Sequence, residues 1–315
     1  MKKALALVLS LVVFTLCGCA AQREAAPMEN SVVFTDALGR EVTVEKKPER
    51  VAALIGSFAD IWQLSGGTVC ATAEDAWDDL GLELGDAVSL GGAHSPSLET
   101  LLSVEPEFVI ASASTTSNVE MREVLENAGI TVAYFDVDCF EDYLTMLDIC
   151  TDMTGRKDLY ELNGTRIAAQ IEAIREECAA AALTEKERTV LLLRAASTSV
   201  KAKNSEGTIL GEMLKDLGCI NIADSDETLL ENLSVESVIR QEPYRIFVVT
   251  MGNDTEKAMD NLSQMMGENS AWGTLEAVRE TRLYVMDRKL FNNKPNAKWA
   301  ESYEKLSEIL LEKDE

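Results

Sequence analysis

Two stretches near the start of the chain, Val32 to Asp36 and Gly39 to Val44, alternate apolar and polar residues about a glycine, and together they predict a β-hairpin. Arg50-Val51-Ala52-Ala53-Leu54-Ile55 is then a short apolar run suited to a buried strand. Gly56-Ser57 follows it and opens an amphipathic helix to about Leu64. From there helical and strand patterns alternate: a helix from about Leu98, a strand Phe108 to Ala111, a helix Val119 to Ala128 and a strand Thr131 to Phe135. Such alternation predicts an α/β fold with a parallel sheet, because parallel strands are joined by crossover helices.

Asp158 to Leu183 is different. Leu159, Ile167, Ile171 and Ile174 recur at helical spacing, no proline intervenes, and Gly164 is the single glycine. One continuous helix is expected, reaching about 40 Å at about 1.5 Å per residue. It is read as a stiff connector between two lobes, with an ordinary surface helix inside one domain as the alternative. Beyond it the alternation resumes with a strand Thr189 to Leu193, a helix from about Thr208 to Gly218 and a helix from about Val235. A strand Arg245 to Thr250, a helix Thr255 to Met266, a strand Leu283 to Met286 and a last helix from Asn296 to about Leu311 complete the series.

The two halves also share a motif. Ser97-Leu98-Glu99 leading to Glu105-Pro106 recurs 137 positions later as Ser234-Val235-Glu236 leading to Glu242-Pro243, and an apolar run follows each proline. The expected architecture is two similar α/β lobes with parallel sheets, bridged by the long helix. The predicted divisions are a leader at 1–19, a flexible tether at 20–30, an N-terminal lobe at 31–155, the interlobe helix at 156–184 and a C-terminal lobe at 185–315.

The leader fixes the compartment. Lys2 and Lys3 precede an apolar core from Ala4 to Leu16 that is too short to span a bilayer, as in a signal peptide. Leu16-Cys17-Gly18-Cys19 resembles the lipobox of bacterial lipoproteins, which implies lipidation of Cys19 and anchoring at the outer face of the cytoplasmic membrane; secretion after cleavage nearby is the alternative. The net charge of −25, from 54 acidic against 29 basic residues, argues against a nucleic-acid partner. Five cysteines lie beyond the leader, Cys70, Cys139, Cys150, Cys178 and Cys219, at spacings typical of neither a metal site nor a disulfide framework.

Taken in order, Thr35-Asp36-Ala37-Leu38-Gly39-Arg40-Glu41-Val42, Pro48-Glu49-Arg50-Val51, the lipobox and the central helix resemble the class III substrate-binding proteins of ABC importers, which deliver ferric siderophores, haem or cobalamin. The resemblance implies an α/β fold of two Rossmann-like lobes with parallel central sheets joined by a single long helix, with a ligand cleft between the lobes, in a monomeric lipoprotein with no cofactor of its own, which captures a small-molecule metal chelate. The chelate expected is an iron(III) siderophore, with cobalamin or haem as the alternative. It also implies that Glu99 and Glu236, one per lobe, dock into an ABC permease dimer served by its ATPase.

Ligand contacts are expected at the carboxyl ends of strands. In the first half these include Phe58 and His94, the single histidine of the chain. His94 can be read as a ligand contact or metal ligand, or as a solvated loop side chain. In the second half, Arg194, Lys201 and Lys203 form a basic, hydroxyl-rich loop, and Lys294 and Trp299 follow the last strand. Cations facing a cleft suit an anionic chelate; solvated surface lysines are the alternative for Lys201 and Lys203. Phe58 and Trp299 are read either as flat walls for a large ligand or as core. An extracytoplasmic enzyme is disfavoured, because a serine or cysteine nucleophile has only His94 available as a base and neither Gly-x-Ser-x-Gly nor His-Glu-x-x-His occurs. A sensory or structural lipoprotein of the same fold stays open.

Overall fold

The computed structural model describes residues 30–252 and 254–312. Cys19 and the leader lie outside the described residues. Strands Ser31–Thr35 and Glu41–Glu45 pair as the expected antiparallel hairpin. Two five-stranded sheets follow.

In the first, Val88–Ser89, Val69–Thr72, Val51–Ala53, Phe108–Ser112 and Thr131–Phe135 lie side by side in that order, all parallel. In the second the parallel order is Ile220–Asn221, Thr189–Ala196, Arg245–Met251 and Leu283–Val285. Ser199–Lys203 folds back antiparallel on Thr189–Ala196. This corrects one expectation, since Arg194, Lys201 and Lys203 all sit on paired strands and not in a loop. In Ser-Val-Lys-Ala-Lys only Ala202 is fully buried, so the alternation carries little apolar signal.

The central strands are apolar on both faces because both faces are covered. Ala52, Val109, Ala111 and Tyr134 face one core in the first half, and Leu191, Leu193, Ile246 and Val248 face another in the second. The opposite faces, through Val51, Ile110, Leu192 and Phe247, join one continuous core with Ile167 and Ile171 of the connecting helix and with Trp299, Leu306 and Leu310 of the helix Trp299–Leu311. The halves therefore share buried apolar surface, which restricts hinge motion between them.

The connecting helix runs through Lys157–Tyr160 and Arg166–Ala180, with a π-helical turn at Glu161–Thr165 between them. Gly164 sits in that turn, and a Cβ there would come within 3.1 Å of Leu144 Cδ2. The missing side chain lets this helix close on its neighbour Phe140–Thr154. The Asn163 carbonyl accepts from the Tyr143 hydroxyl at 2.9 Å, so the wide turn is hydrogen-bonded to the first lobe.

The repeated motif folds the same way twice. Ser97 and Ser234 cap their helices by accepting from the N–H three residues on, at 3.2 and 3.3 Å. Both helices end at a glutamate in the left-handed region, Glu105 with φ 46° and Glu242 with φ 44°. The residue after each proline then donates its N–H to the segment leading into the central strand, Glu107 to the Arg50 carbonyl and Tyr244 to the Thr189 carbonyl, both at 2.8 Å. Glu99 and Glu236 consequently occupy the same exposed position in the first turn of equivalent helices.

The hairpin is fastened to the first lobe by Asp36. Its carboxylate accepts from Arg40 Nη2 at 2.6 Å and from the N–H groups of Leu38 and Arg40 at 3.0 Å each, and Arg40 Nη1 reaches Glu126 at 2.6 Å. Burial alone would raise this carboxyl, but Arg40 and the N–H groups of Arg40 and Tyr134 outweigh it and hold Asp36 below the usual carboxylate range. A depressed folded pKa gives stability that is present above the unfolded value of about 3.9 and is lost as pH falls through the folded value. Acid unfolding followed by circular dichroism should show a shallower acid limb in Asp36→Asn than in the parent; parallel limbs would remove Asp36 from the account.

Candidate functional site

The carboxyl ends of the two sheets face each other across a cleft. Strand order sets what meets what. The ends of Val69–Thr72 and Val88–Ser89 oppose those of Arg245–Met251 and Leu283–Val285, where a cavity of about 1130 Å³ opens. Its first-lobe wall is Glu74, Asp75, Asp78, Asp79 and Gly92 to Ser95, and its second-lobe wall includes Thr250 to Gly252, Met286 to Lys289, Asn292 and Asn293. His94 lies on this wall, exposed. Arg288 reaches across from the second lobe to pair with Asp79, and its other amine donates to the Gly252 carbonyl. Burial raises the Asp75 carboxyl despite the Gly56 N–H that it accepts at 3.0 Å.

The middle of the cleft is closed by a polar pin. Asn296, fully buried with φ 53°, donates from Nδ2 to the Ser57 carbonyl at 2.9 Å and to Asp60 Oδ2 at 2.8 Å. Lys294 stands two residues before it with its ammonium 5.7 Å from the centre of the Phe58 ring. Asn292 and Asn293 lead from the cavity wall directly into Lys294.

At the other end of the cleft the loop after Thr131–Phe135 approaches the hairpin of the second sheet. Asp138 Oδ2 lies 3.9 Å from where a Cβ on Gly207 would stand. Arg194 and Lys201 are direct cross-strand partners, and Lys203 is two residues along on the same face. Burial is the main cause lowering the Arg194 guanidinium and the Lys294 ammonium, and Asp138 opposes it for both. Lys203 is lowered by burial and then by Arg194 and Lys201. Arg194, Lys201 and Lys203 thus stand together on the hairpin of the second sheet, and the charge of Asp138 acts on both Arg194 and Lys294.

Of the two readings of Phe58 and Trp299, the core one holds. Phe58 and Trp299 are both wholly buried. Phe58 packs edge-on against Phe135 at 6.3 Å, and Trp299 against Phe140 and Tyr143 at 5.8 and 6.4 Å. Each stands at a helix start whose inward face meets the shared core, so neither presents surface to the cleft. Sequence reasoning missed Asp79, Arg288, Asp138 and Asn296. Asp79 pairs with Arg288 and Asn296 with Asp60 across the lobes, while Asp138 acts by charge on Arg194 and Lys294, and no local pattern marks such partners.

Among the described residues no helix is long and apolar enough to cross a membrane, and no group of three or more His, Cys, Asp or Glu side chains is placed to hold a metal ion. All five cysteines are free thiols, with Cys150 and Cys178 buried. Burial pushes the Cys139 and Cys219 thiols up to about 12, which disfavours the thiolate in both.

Comparison with known proteins agrees with this geometry. An uncharacterized ABC transporter substrate-binding lipoprotein of Bacillus subtilis, YvrC, is 23% identical over 97% of this chain and 95% of its own. The Fe(3+)-citrate-binding protein YfmC of the same organism is 24% identical over 89% of this chain and 88% of its own. Among solved structures, Staphylococcus aureus SirA complexed with staphyloferrin B superposes with a TM-score of 0.67 at 20% identity, over 89% of this chain and 97% of that one. The model of the periplasmic binding protein family matches residues 51–290. A parallel-sheet lobe on each side of a cleft, a helical connector and this match lead to one conclusion: the chain belongs to the periplasmic binding protein family, the substrate-binding components of ABC importers.

Proposed function

We propose that this protein captures an iron(III) chelate of the ferric siderophore class in the interlobe cleft and delivers it to an ABC permease and its ATPase. It does so from the outer face of the cytoplasmic membrane, tethered through lipid on Cys19, as a monomer with no chemistry of its own. The observation that carries the reading is the cleft itself: a cavity of about 1130 Å³ walled by both lobes. A volume of this order houses a ligand of several hundred daltons. The Fe(3+)-citrate-binding relative supports a ferric chelate. Glu99 and Glu236, exposed in register on the two lobes, are the docking carboxylates, since a two-fold permease presents the same surface twice.

His94 favours a second reading, a haem or corrinoid, because it is an imidazole on the cavity wall. One titration separates the two. Trp77, half-buried on the same short helix as Asp75 and Asp78, should report ligand by fluorescence when the detergent-solubilised protein is titrated with ferric chelates, hemin and a corrinoid. Saturable binding of a ferric chelate supports the first reading; binding of hemin with a shifted Soret band, abolished by His94→Ala, supports the second and displaces the first.

A further inference from the structure

The lobes meet differently along the cleft. In the middle they are pinned by Asn296 and share the core around Trp299. At the cavity the second-lobe wall stays open, with Met251 42% and Val285 50% exposed although both are large and apolar. Apolar packing therefore does not hold the lobes together at this end. Among the described residues, the ion pair that crosses here joins Arg288 Nη2 of the second lobe to Asp79 Oδ2 of the first.

Both ends of the pair are anchored. Asp79 lies in the turn that closes the helix Asp75–Asp78, where its N–H donates to the Asp75 carbonyl at 3.1 Å, and the Asp75 carboxylate accepts from the Gly56 N–H at 3.0 Å. Gly56 starts the helix Gly56–Leu64, which buries Phe58 and Ile61, so Asp79 rides on the first-lobe core. On the other side Arg288 follows the strand Leu283–Val285, and its second amine donates to the carbonyl of Gly252, which follows the neighbouring strand Arg245–Met251. One side chain thus ties both cavity loops of the second lobe together and hooks them to the first. With 17% of the Arg288 and 26% of the Asp79 side chain exposed, the pair is sheltered enough to outlast an open surface pair, yet wet enough to part without stranding a dry charge. Glu74, Asp75 and Asp78 share the wall with Asp79, so the guanidinium is also drawn to that wall from a distance.

We propose that Asp79 and Arg288 form a clasp that parts to admit ligand to the cavity and re-forms behind it, so that this pair sets the rate of exchange. The proposal rests on the reading of the cavity as the ligand site, but the clasp itself is testable without ligand.

Of the four tryptophans, Trp62, Trp272 and Trp299 are at most 1% exposed, whereas Trp77, two residues before Asp79, is half-buried. Acrylamide quenching of the detergent-solubilised full chain therefore reads Trp77. The quenching constant should rise about twofold or more in Asp79→Asn and in Arg288→Gln, and in the parent but not in Asp79→Asn it should rise as sodium chloride goes from about 50 to about 500 mM. A parent whose quenching ignores salt overturns the clasp, whether or not a variant folds. Stopped-flow mixing with ferric citrate gives a second reading. Arg288→Gln takes a positive charge off the wall, which would slow an anionic probe if Arg288 were only an attractive contact; the clasp predicts association and dissociation both faster by about threefold or more. Slower association in Arg288→Gln overturns the proposal and makes Arg288 a ligand contact. If ferric citrate does not bind, the ferric-chelate reading loses support and quenching alone decides the clasp.

Discussion

Replacing Glu99 and Glu236 together by alanine should abolish import while leaving the affinity of the cleft for its chelate unchanged. The two carboxylates sit in the first turns of helices that begin at Ser97 and Ser234, use the same cap, end at a left-handed glutamate and feed a strand through the same backbone hydrogen bond. Equivalent local structure in two lobes that share one core places both charges at fixed positions, as a two-fold partner surface requires. Neither carboxylate lines the cavity, so binding should not change. Loss of the favourable helix-terminus charge costs only about 0.3–1 kcal/mol per site, too little to unfold the protein. Uptake of radioactive iron chelate by cells or proteoliposomes carrying the cognate permease and ATPase checks the transport half of the expectation, and calorimetry checks the binding half. Transport at the parental rate in the double variant would refute the docking role.

The largest expected stability effect comes from Trp299→Ala. The indole is wholly buried at the start of the helix Trp299–Leu311 and packs on Phe140 and Tyr143 of the first lobe. It belongs to the same core as Ile167 and Ile171 of the connector and Leu192 of the second sheet. Its removal leaves a cavity where the two halves and the connector meet, and large-to-small changes of this kind cost about 3–5 kcal/mol. The indole N–H has no acceptor, so the loss is one of packing and not of a hydrogen bond. Denaturant unfolding should show a lower midpoint, and a changed slope if the lobes come apart separately. A loss below about 1 kcal/mol would contradict the shared core.

Much of this architecture was legible in the chain. Val51 to Ile55, Phe108 to Ala111 and Arg245 to Thr250 read as buried strands because both their faces are covered, and the Ser-x-Glu to Glu-Pro repeat marked two equivalent segments before their shared caps were seen. Val69–Thr72 and Val88–Ser89 were not legible, being four and two residues long, too short for a period to register. Met121 splits the helix expected over Val119 to Ala128 into Thr116–Glu120 and Arg122–Asn127.

The site was legible by composition more than by geometry. Position after a strand marked Arg194 and Lys294 for the cleft, whereas Arg194 lies within the strand Thr189–Ala196, opposite Lys201, and neither Arg194 nor Lys294 lines the cavity. The same rule marked Phe58 and Trp299, which turn inward, because a strand-end position does not specify which face of the following helix is buried. The Asp79–Arg288 pair spans 209 positions of sequence and was visible only once the lobes were opposed.

The most direct test of capture between the lobes is anomalous diffraction at the iron absorption edge from crystals grown with a saturating ferric chelate. The account predicts one strong iron peak in the cleft, bounded by the Asp75 and His94 wall on one lobe and the wall of Thr250 to Gly252, Met286 to Lys289 and Asn292 on the other. An iron peak on an outer surface of either lobe, with the cleft occupied only by solvent, would contradict it.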